Sequence, residues 1–163
     1  MRLLVIMIMT LYSFALTLPN KFSSEFIQTI NSNDKNLTYK GKVYLNNNEI
    51  VWKYIYPNNK IIWVKDKVYI YEPDLEQLTI TKRNKLSLRD IVKNAKKIKN
   101  NLYFSKVENK KIYFIYDKTL KKLYYKNNIG NKITIKFFNQ KNDVNKSVFK
   151  INLPKDIDII YQN

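Results

Sequence analysis

Residues 69–80 read YIYEPDLEQLTI and gather three carboxylates, Glu72, Asp74 and Glu76, around Pro73, in a chain of 163 residues with only 13 acidic residues and a formal net charge of +17. Three chemistries use such a cluster. General acid/base catalysis needs one carboxyl desolvated in a cleft, so that its pKa rises toward the working pH. A calcium site needs more oxygens and a glycine at the sharp bend, and this loop has no glycine. A turn needs only what is here: Pro73 fixes φ and Asp74 is a favoured turn residue. Tyr71 ends one alternating segment and Leu78 begins the next, so the expectation is a solvated acidic connection between neighbouring strands. The rest of the chain offers catalysis little. Histidine and cysteine are both absent, which removes thiolate nucleophiles, disulfides, Cys/His zinc sites and Ser–His or Cys–His pairs. Neither an enzyme nor a cofactor is expected.

The elements that must position any site follow a period of two. In LTYKGKVYL, Leu37, Tyr39, Gly41, Val43 and Leu45 share one face of a strand, the half-buried antiparallel pattern. IVWKYIYP, IIWV, VYIY and LTIT follow, separated by NNNE, PNNK, KDK and EPDLEQ. NLYFSKV, KIYFIY, KLYYK, KITIKFF and SVFKINL repeat the pattern later, with Pro154 closing the last. Turn signals every eight to twelve residues make a meander of hairpins. One stretch differs: Leu88, Ile91, Val92, Ala95 and Ile98 form an apolar stripe at helical spacing, with Ser87 and Asp90 placed as N-cap and capping-box partner. The fold class expected is mainly β, in a single domain. It is an antiparallel sheet of nine to eleven strands that curls and needs a cover on its concave side, and the amphipathic helix is the candidate cover.

Around the acidic turn the sequence resembles a family. VYIYEPDLEQLTI is similar to the strand–turn–strand signature of LolA, the periplasmic carrier of outer-membrane lipoproteins. SEFIQTI resembles that family's early Phe-x-Gln strand, YKGKVYL followed by IVWKYIYP its Gly-to-Trp-to-Pro run, and FKINLPKDIDII its Phe-x-x-x-x-Pro ending. The resemblance implies an incomplete β-barrel with a helical lid over an apolar cavity. It implies lipoproteins as cargo, held by their acyl chains, with an inner-membrane lipoprotein-releasing transporter as donor and an outer-membrane lipoprotein acceptor as recipient. The acceptor has a similar fold with an acylated N-terminal cysteine, so a chain without cysteine fits the soluble carrier. Two departures stand out. The helix that precedes the Phe-x-Gln strand is missing or vestigial. The Lys-Arg-Pro turn, whose Arg helps lock the lid, is replaced by NNN at residues 46–48, so the closed state must be held another way.

On this reading Ile50, Trp52 and Tyr54 line the cavity, extended by Ile62, Val64, Val68 and Ile70 on the next hairpin. Leu88, Ile91, Val92 and Ala95 form the underside of the lid. A one-residue slip in IIWV or VYIY would swap these faces.

Arg2 and the apolar run of residues 3–11, followed by Ser13 and Ala15, have the form of a signal peptide cleaved between Ala15 and Leu16. The uncharged stretch of residues 3–18 falls short of the roughly 20 residues that span a bilayer. The domain assignment is therefore a signal peptide at 1–15 and a carrier domain at 16–163, exported to the periplasm and soluble there as a monomer. The basic excess is 27 Lys against 3 Arg. Nucleic-acid readers rely on the planar fork of Arg, so no nucleic-acid partner is expected. Two alternatives stay open: a lysine-rich module for anionic lipid or polymer, and an envelope sensor on a related fold.

Overall fold

A computed structural model describes residues 16–32, 35–83, 87–107 and 109–162. The alternating segments form β1 (Lys21–Asn31), β2 (Asn36–Asn46), β3 (Glu49–Tyr56), β4 (Lys60–Val64), β5 (Lys67–Glu72) and β6 (Gln77–Lys82). After the helix α1 (Leu88–Lys93) come β7 (Lys96–Lys99), β8 (Leu102–Val107), β9 (Lys110–Asp117), β10 (Thr119–Lys126), β11 (Lys132–Lys141) and β12 (Asp158–Gln162). All twelve belong to one sheet in the order β12-β6-β5-β4-β3-β2-β1-β11-β10-β9-β8-β7. Two meanders, β1–β6 and β7–β11, are thus joined by the antiparallel pairing of β1 with β11. The sheet ends at β12 on one side and β7 on the other, and so remains an unclosed barrel.

The sheet is strongly curled. Trp52 on β3 and Phe137 on β11 stand three strand spacings apart, about 14 Å along a flat sheet, yet their ring centroids approach to 6.3 Å. Phe22 and Phe26 of β1, Val43 and Leu45 of β2, Ile50 of β3, Ile112 and Phe114 of β9, and Ile133, Ile135 and Phe137 of β11 gather on the concave side in one buried cluster. Close strand approach is needed where β2 bends. Its register with β3 shifts between Lys40 and Gly41, and a Cβ on Gly41 would collide with the Lys53 carbonyl and sit 2.9 Å from the Phe26 ring. Only glycine fits there.

A second, smaller cluster lies on the convex side, where Val51 and Trp63 pack against Val144 and Phe149. The chain after β11 folds back over β3 and β4, and Trp63 Nε1 donates to the Val148 carbonyl at 3.0 Å.

Three sequence expectations change. The apolar stripe continues to Ile98, but α1 ends at Lys93. Residues 96–99 instead pair with β8 as an edge strand, and Ile98 is 48% exposed. Ladder hydrogen bonds to the open β8 edge outweigh another helical turn that would bury one isoleucine, and three lysines on this short strand blunt the edge. SVFKINL forms a 3-10 turn (Lys146–Phe149) and an unpaired segment rather than a strand, because its apolar residues are taken up by the convex cluster. The chain also does not end its sheet at Pro154: β12 runs parallel to β6, the one parallel pair among otherwise antiparallel neighbours. With β7 and β12 added and SVFKINL removed, the strand number rises to twelve.

Candidate functional site

Register brings the expected cavity residues to one face. Ile50 faces Val64, Trp52 faces Ile62, and Ile62 and Val64 face Ile70 and Val68. All seven residues from Ile50 to Ile70 therefore look toward the concave side. Ile50 is buried in the main cluster, with Trp52, Tyr54 and Val64 packed against it. Ile62, Val68 and Ile70 are half-buried and belong to neither buried cluster. Phe26, the phenylalanine of the Phe-x-Gln strand but not one of the expected cavity residues, is the hub: its ring meets Trp52 and Tyr54 edge-on at 5.1 Å each. Its position on alternating SEFIQTI was the available signal. The same alternation marks Ile112, Phe114, Ile133, Ile135 and Phe137 in the second meander, which complete the concave surface.

The lid residues Leu88, Ile91 and Val92 are buried in this same cluster and Ala95 packs against it. Helix α1 forms because Ser87 accepts a hydrogen bond from the Asp90 amide at 3.1 Å, and the Asp90 carboxylate accepts from the Ser87 amide at 3.3 Å, a capping box on a helix too short to be stable alone. The space beneath α1 is filled by side chains. Free volume lies further along the concave face, where a cavity of about 360 Å³ is lined by Gln28, Ile30, Tyr39, Tyr54, Ile62 and Lys60 among others. The concave face is thus packed where Phe22, Val43, Leu45 and Ile50 meet the lid, and open at the other end of β1–β4, around Ile30, Tyr39, Tyr54 and Ile62. One polar group is stranded under the lid: Ser105 is 1% exposed and its hydroxyl has no hydrogen-bond partner.

Two arginines tie the lid region to the β2–β3 turn. From α1 itself, Arg89 Nε donates to the Asn47 carbonyl at 2.7 Å and Nη2 to the Pro19 carbonyl at 3.2 Å. Just before α1, Arg83 donates to the carbonyls of Lys65 at 2.6 Å and Asn48 at 3.2 Å. The turn itself reads NNN at residues 46–48 and offers no basic side chain. The guanidinium groups come instead from the lid side, and the turn supplies backbone carbonyls. Since any residue type has a carbonyl, the asparagines carried no signal of this.

The acidic cluster sits where the turn was expected. Pro73–Leu75 forms a single 3-10 turn, closed by Glu76 in the left-handed conformation. Glu72 pairs with Lys60 at 2.8 Å, and Asp74 and Glu76 are exposed. Among the described residues no group of three or more His, Cys, Asp or Glu is placed to hold a metal ion, and no helix is long and apolar enough to cross a membrane. The expected cleavage site falls at the edge of the described chain: Ala15 lies outside it, whereas Leu16 packs against the main cluster.

Fold and site define a lidded, unclosed β-barrel with an apolar concave face. The chain is 33% identical over 153 residues to an outer-membrane lipoprotein carrier protein of Campylobacter jejuni, covering 90% of each. It is 32% identical over 149 residues to one of Wolinella succinogenes, covering 86% of this chain and 87% of that one. It belongs to the LolA family of outer-membrane lipoprotein carrier proteins. No family model matches the sequence. Among solved structures, an uncharacterized conserved protein from Thermus thermophilus superposes with a TM-score of 0.57 at 12% identity, covering 89% of this chain and 92% of that one. A DUF1329 family protein from Desulfovibrio piger gives 0.51 at 12% identity, covering 81% and 90%. These two likenesses concern the fold alone.

Proposed function

We propose that this protein is a periplasmic carrier that shields the acyl chains of lipoproteins released from the inner membrane and delivers them to an outer-membrane acceptor. One observation carries the reading beyond the family name: an apolar concave face is half covered by a lid whose ties to the sheet are breakable hydrogen bonds. Three chains of roughly fifteen methylenes, at about 0.8 kcal/mol each, represent on the order of 36 kcal/mol of apolar exposure in water. The arginine ties are at the surface and contribute on the order of 1 kcal/mol apiece. Lifting Leu88, Ile91 and Val92 exposes side chains whose burial is worth roughly 2 kcal/mol each, and cargo chains entering the space replace those contacts. Cargo therefore outweighs the lid, while an empty carrier closes on its own apolar face and avoids aggregation.

In this mechanism the chains enter beside Tyr54 and Ile62 and extend over Val64, Val68 and Ile70. Trp52, Ile50 and the lid residues Leu88, Ile91, Val92 and Ala95 line the deeper part once the lid moves. Aromatic and β-branched walls give broad contact without a strict geometric demand, which suits cargoes that share only their lipid. The signal peptide is removed between Ala15 and Leu16, which N-terminal sequencing of exported protein would register. Donor and recipient are the inner-membrane lipoprotein-releasing transporter and the outer-membrane lipoprotein acceptor, and the carrier travels as a monomer.

The test is cargo retention. Trp52→Glu and Ile91→Glu place a charge on the deep wall and on the lid. Mass spectrometry of organic extracts from gently purified protein should find acyl chains with the wild type and at least tenfold less with either variant, at equal circular dichroism. Equal lipid content in folded variants would refute the assignment of this face.

A further inference from the structure

Charge is divided unevenly between the two meanders. Residues 96–141 hold thirteen lysines against two acids, whereas residues 16–95 hold thirteen basic residues against eight acids. Both ion pairs of the described chain, Lys60–Glu72 and Lys65–Glu49, lie in the first meander. On the convex side of the second meander, register sets like charges directly opposite one another. Lys106 faces Lys111, while Lys122 faces Lys136 and Lys126 faces Lys132. Such opposed pairs are unfavourable within a sheet, and here three of them share one face of four adjacent strands.

Between these lysines runs an aromatic stripe. Tyr113 stacks on Tyr124 at 5.3 Å with 11° between the rings, Phe104 lies 6.2 Å from Tyr113, and the Lys122 ammonium sits 5.3 Å over the Tyr124 ring. At the end of the stripe a surface cavity of about 880 Å³ is lined by Tyr113, Tyr124, Lys110, Lys111, Lys126 and Lys132, with asparagines beside them. On the same face Asp117 stands at the far end of β9. Glu108, next to the cavity in sequence, lies outside the described residues. The convex face over β3 and β4 is covered by residues 144–153, whereas among the described residues no segment packs over this one.

We propose that the convex face of β8–β11 docks on an anionic phospholipid surface. Three features select a bilayer. The cations are six lysines spread over a broad face, with no arginine in this half of the chain, so the face offers a diffuse field of point charges rather than forks that grip one defined group. Tyrosine rings with a polar tip suit the headgroup level of a membrane. Juxtamembrane lysines are attracted by anionic headgroups and lose that attraction in salt. Docking by the convex side leaves the lid and the concave face free. The inference is independent of the carrier reading, since it concerns the convex face, opposite the proposed cargo site.

The experiment is co-sedimentation of the exported chain with vesicles of phosphatidylcholine alone or with about one third phosphatidylglycerol. Binding is expected only to the anionic vesicles and should fall steeply with added salt. Lys111→Glu/Lys122→Glu/Lys132→Glu should lower vesicle affinity by at least roughly fivefold per reversed residue, since each loses one attraction and gains a repulsion. Lys53→Glu/Lys150→Glu/Lys155→Glu, with the same change in net charge at exposed positions elsewhere, should lower it far less. Each reversal in the first variant converts an opposed like-charge pair into an opposite one, so its melting temperature should hold or rise, which separates lost docking from lost folding. Equal losses in the two triple variants would overturn the proposal, as would binding to soluble dextran sulfate without binding to vesicles.

Discussion

Tyr54 shows how one side chain serves both wall and scaffold. Its hydroxyl donates to Gln28 Oε1 at 3.0 Å, and its ring lies edge-on to Phe26 and to Tyr39. Burial pushes the phenol pKa well above its ordinary 10.0, with Tyr125 and Tyr39 adding to the shift. A group whose pKa is raised by folding contributes stability fully below its unfolded value and loses it as pH climbs beyond that value. Unfolding free energy should therefore drop above about pH 10 more steeply in the wild type than in Tyr54→Phe. Near neutral pH the same variant should be less stable by about 1 kcal/mol, because Gln28 loses its partner. Urea titrations across this pH range would read both, and parallel pH profiles for the two proteins would rule out Tyr54 as the ionising group. At this scale the sequence was informative about facing and silent about partners. Period two placed Ile50, Trp52 and Tyr54 together, but Gln28 is 26 residues upstream and reaches Tyr54 only through the register of β1, β2 and β3.

The lid is an element whose start was written locally and whose end was not. Ser87 and Asp90 satisfy each other's backbone within one turn of chain, so the N-terminus of α1 is legible without any fold. Its C-terminus depends on β8, a partner several residues ahead whose open edge captures residues 96–99. The latch was hidden for a related reason: Arg89 and Arg83 act on carbonyls, and carbonyls have no sequence signature. Arg89→Ala should remove two hydrogen bonds to the sheet side and lower the stability of the empty protein by about 1–2 kcal/mol. It should also speed uptake of a fluorescent fatty acid several-fold, because the closed state is less favoured. Arg89→Lys keeps the charge but cannot reach two carbonyls in the same fork geometry, so it should restore only part of the barrier. Stopped-flow fluorescence distinguishes the three proteins. Identical uptake rates would mean that Leu88, Ile91 and Val92 alone hold the lid.

For the molecule as a whole, the sheet and its lid must differ in stability if the filled space beneath α1 is to become a cargo site. β1 is the natural rigid centre. It pairs over eleven residues with β2 and over most of its length with β11, joining the two meanders, and it carries Phe22 and Phe26 into the cluster. α1 has six residues, and β7 has four exposed residues at a sheet edge. Both belong at the low end of the local opening free energies a fold supports. Hydrogen exchange should accordingly find the amides of β1, β2 and β11 slowest and those of α1 and β7 faster by orders of magnitude. Adding a fatty acid or a detergent with one alkyl chain should further deprotect α1 while slowing exchange in β4 and β5, whose concave residues Ile62, Val64, Val68 and Ile70 gain a cover. The opposite signs at two places on one molecule are the diagnostic. General loosening by detergent would deprotect both regions together, and simple rigidification would protect both. Only displacement of a lid by cargo that spreads over the open part of the concave face predicts loss at Ile91 and Val92 alongside gain at Ile62 and Ile70.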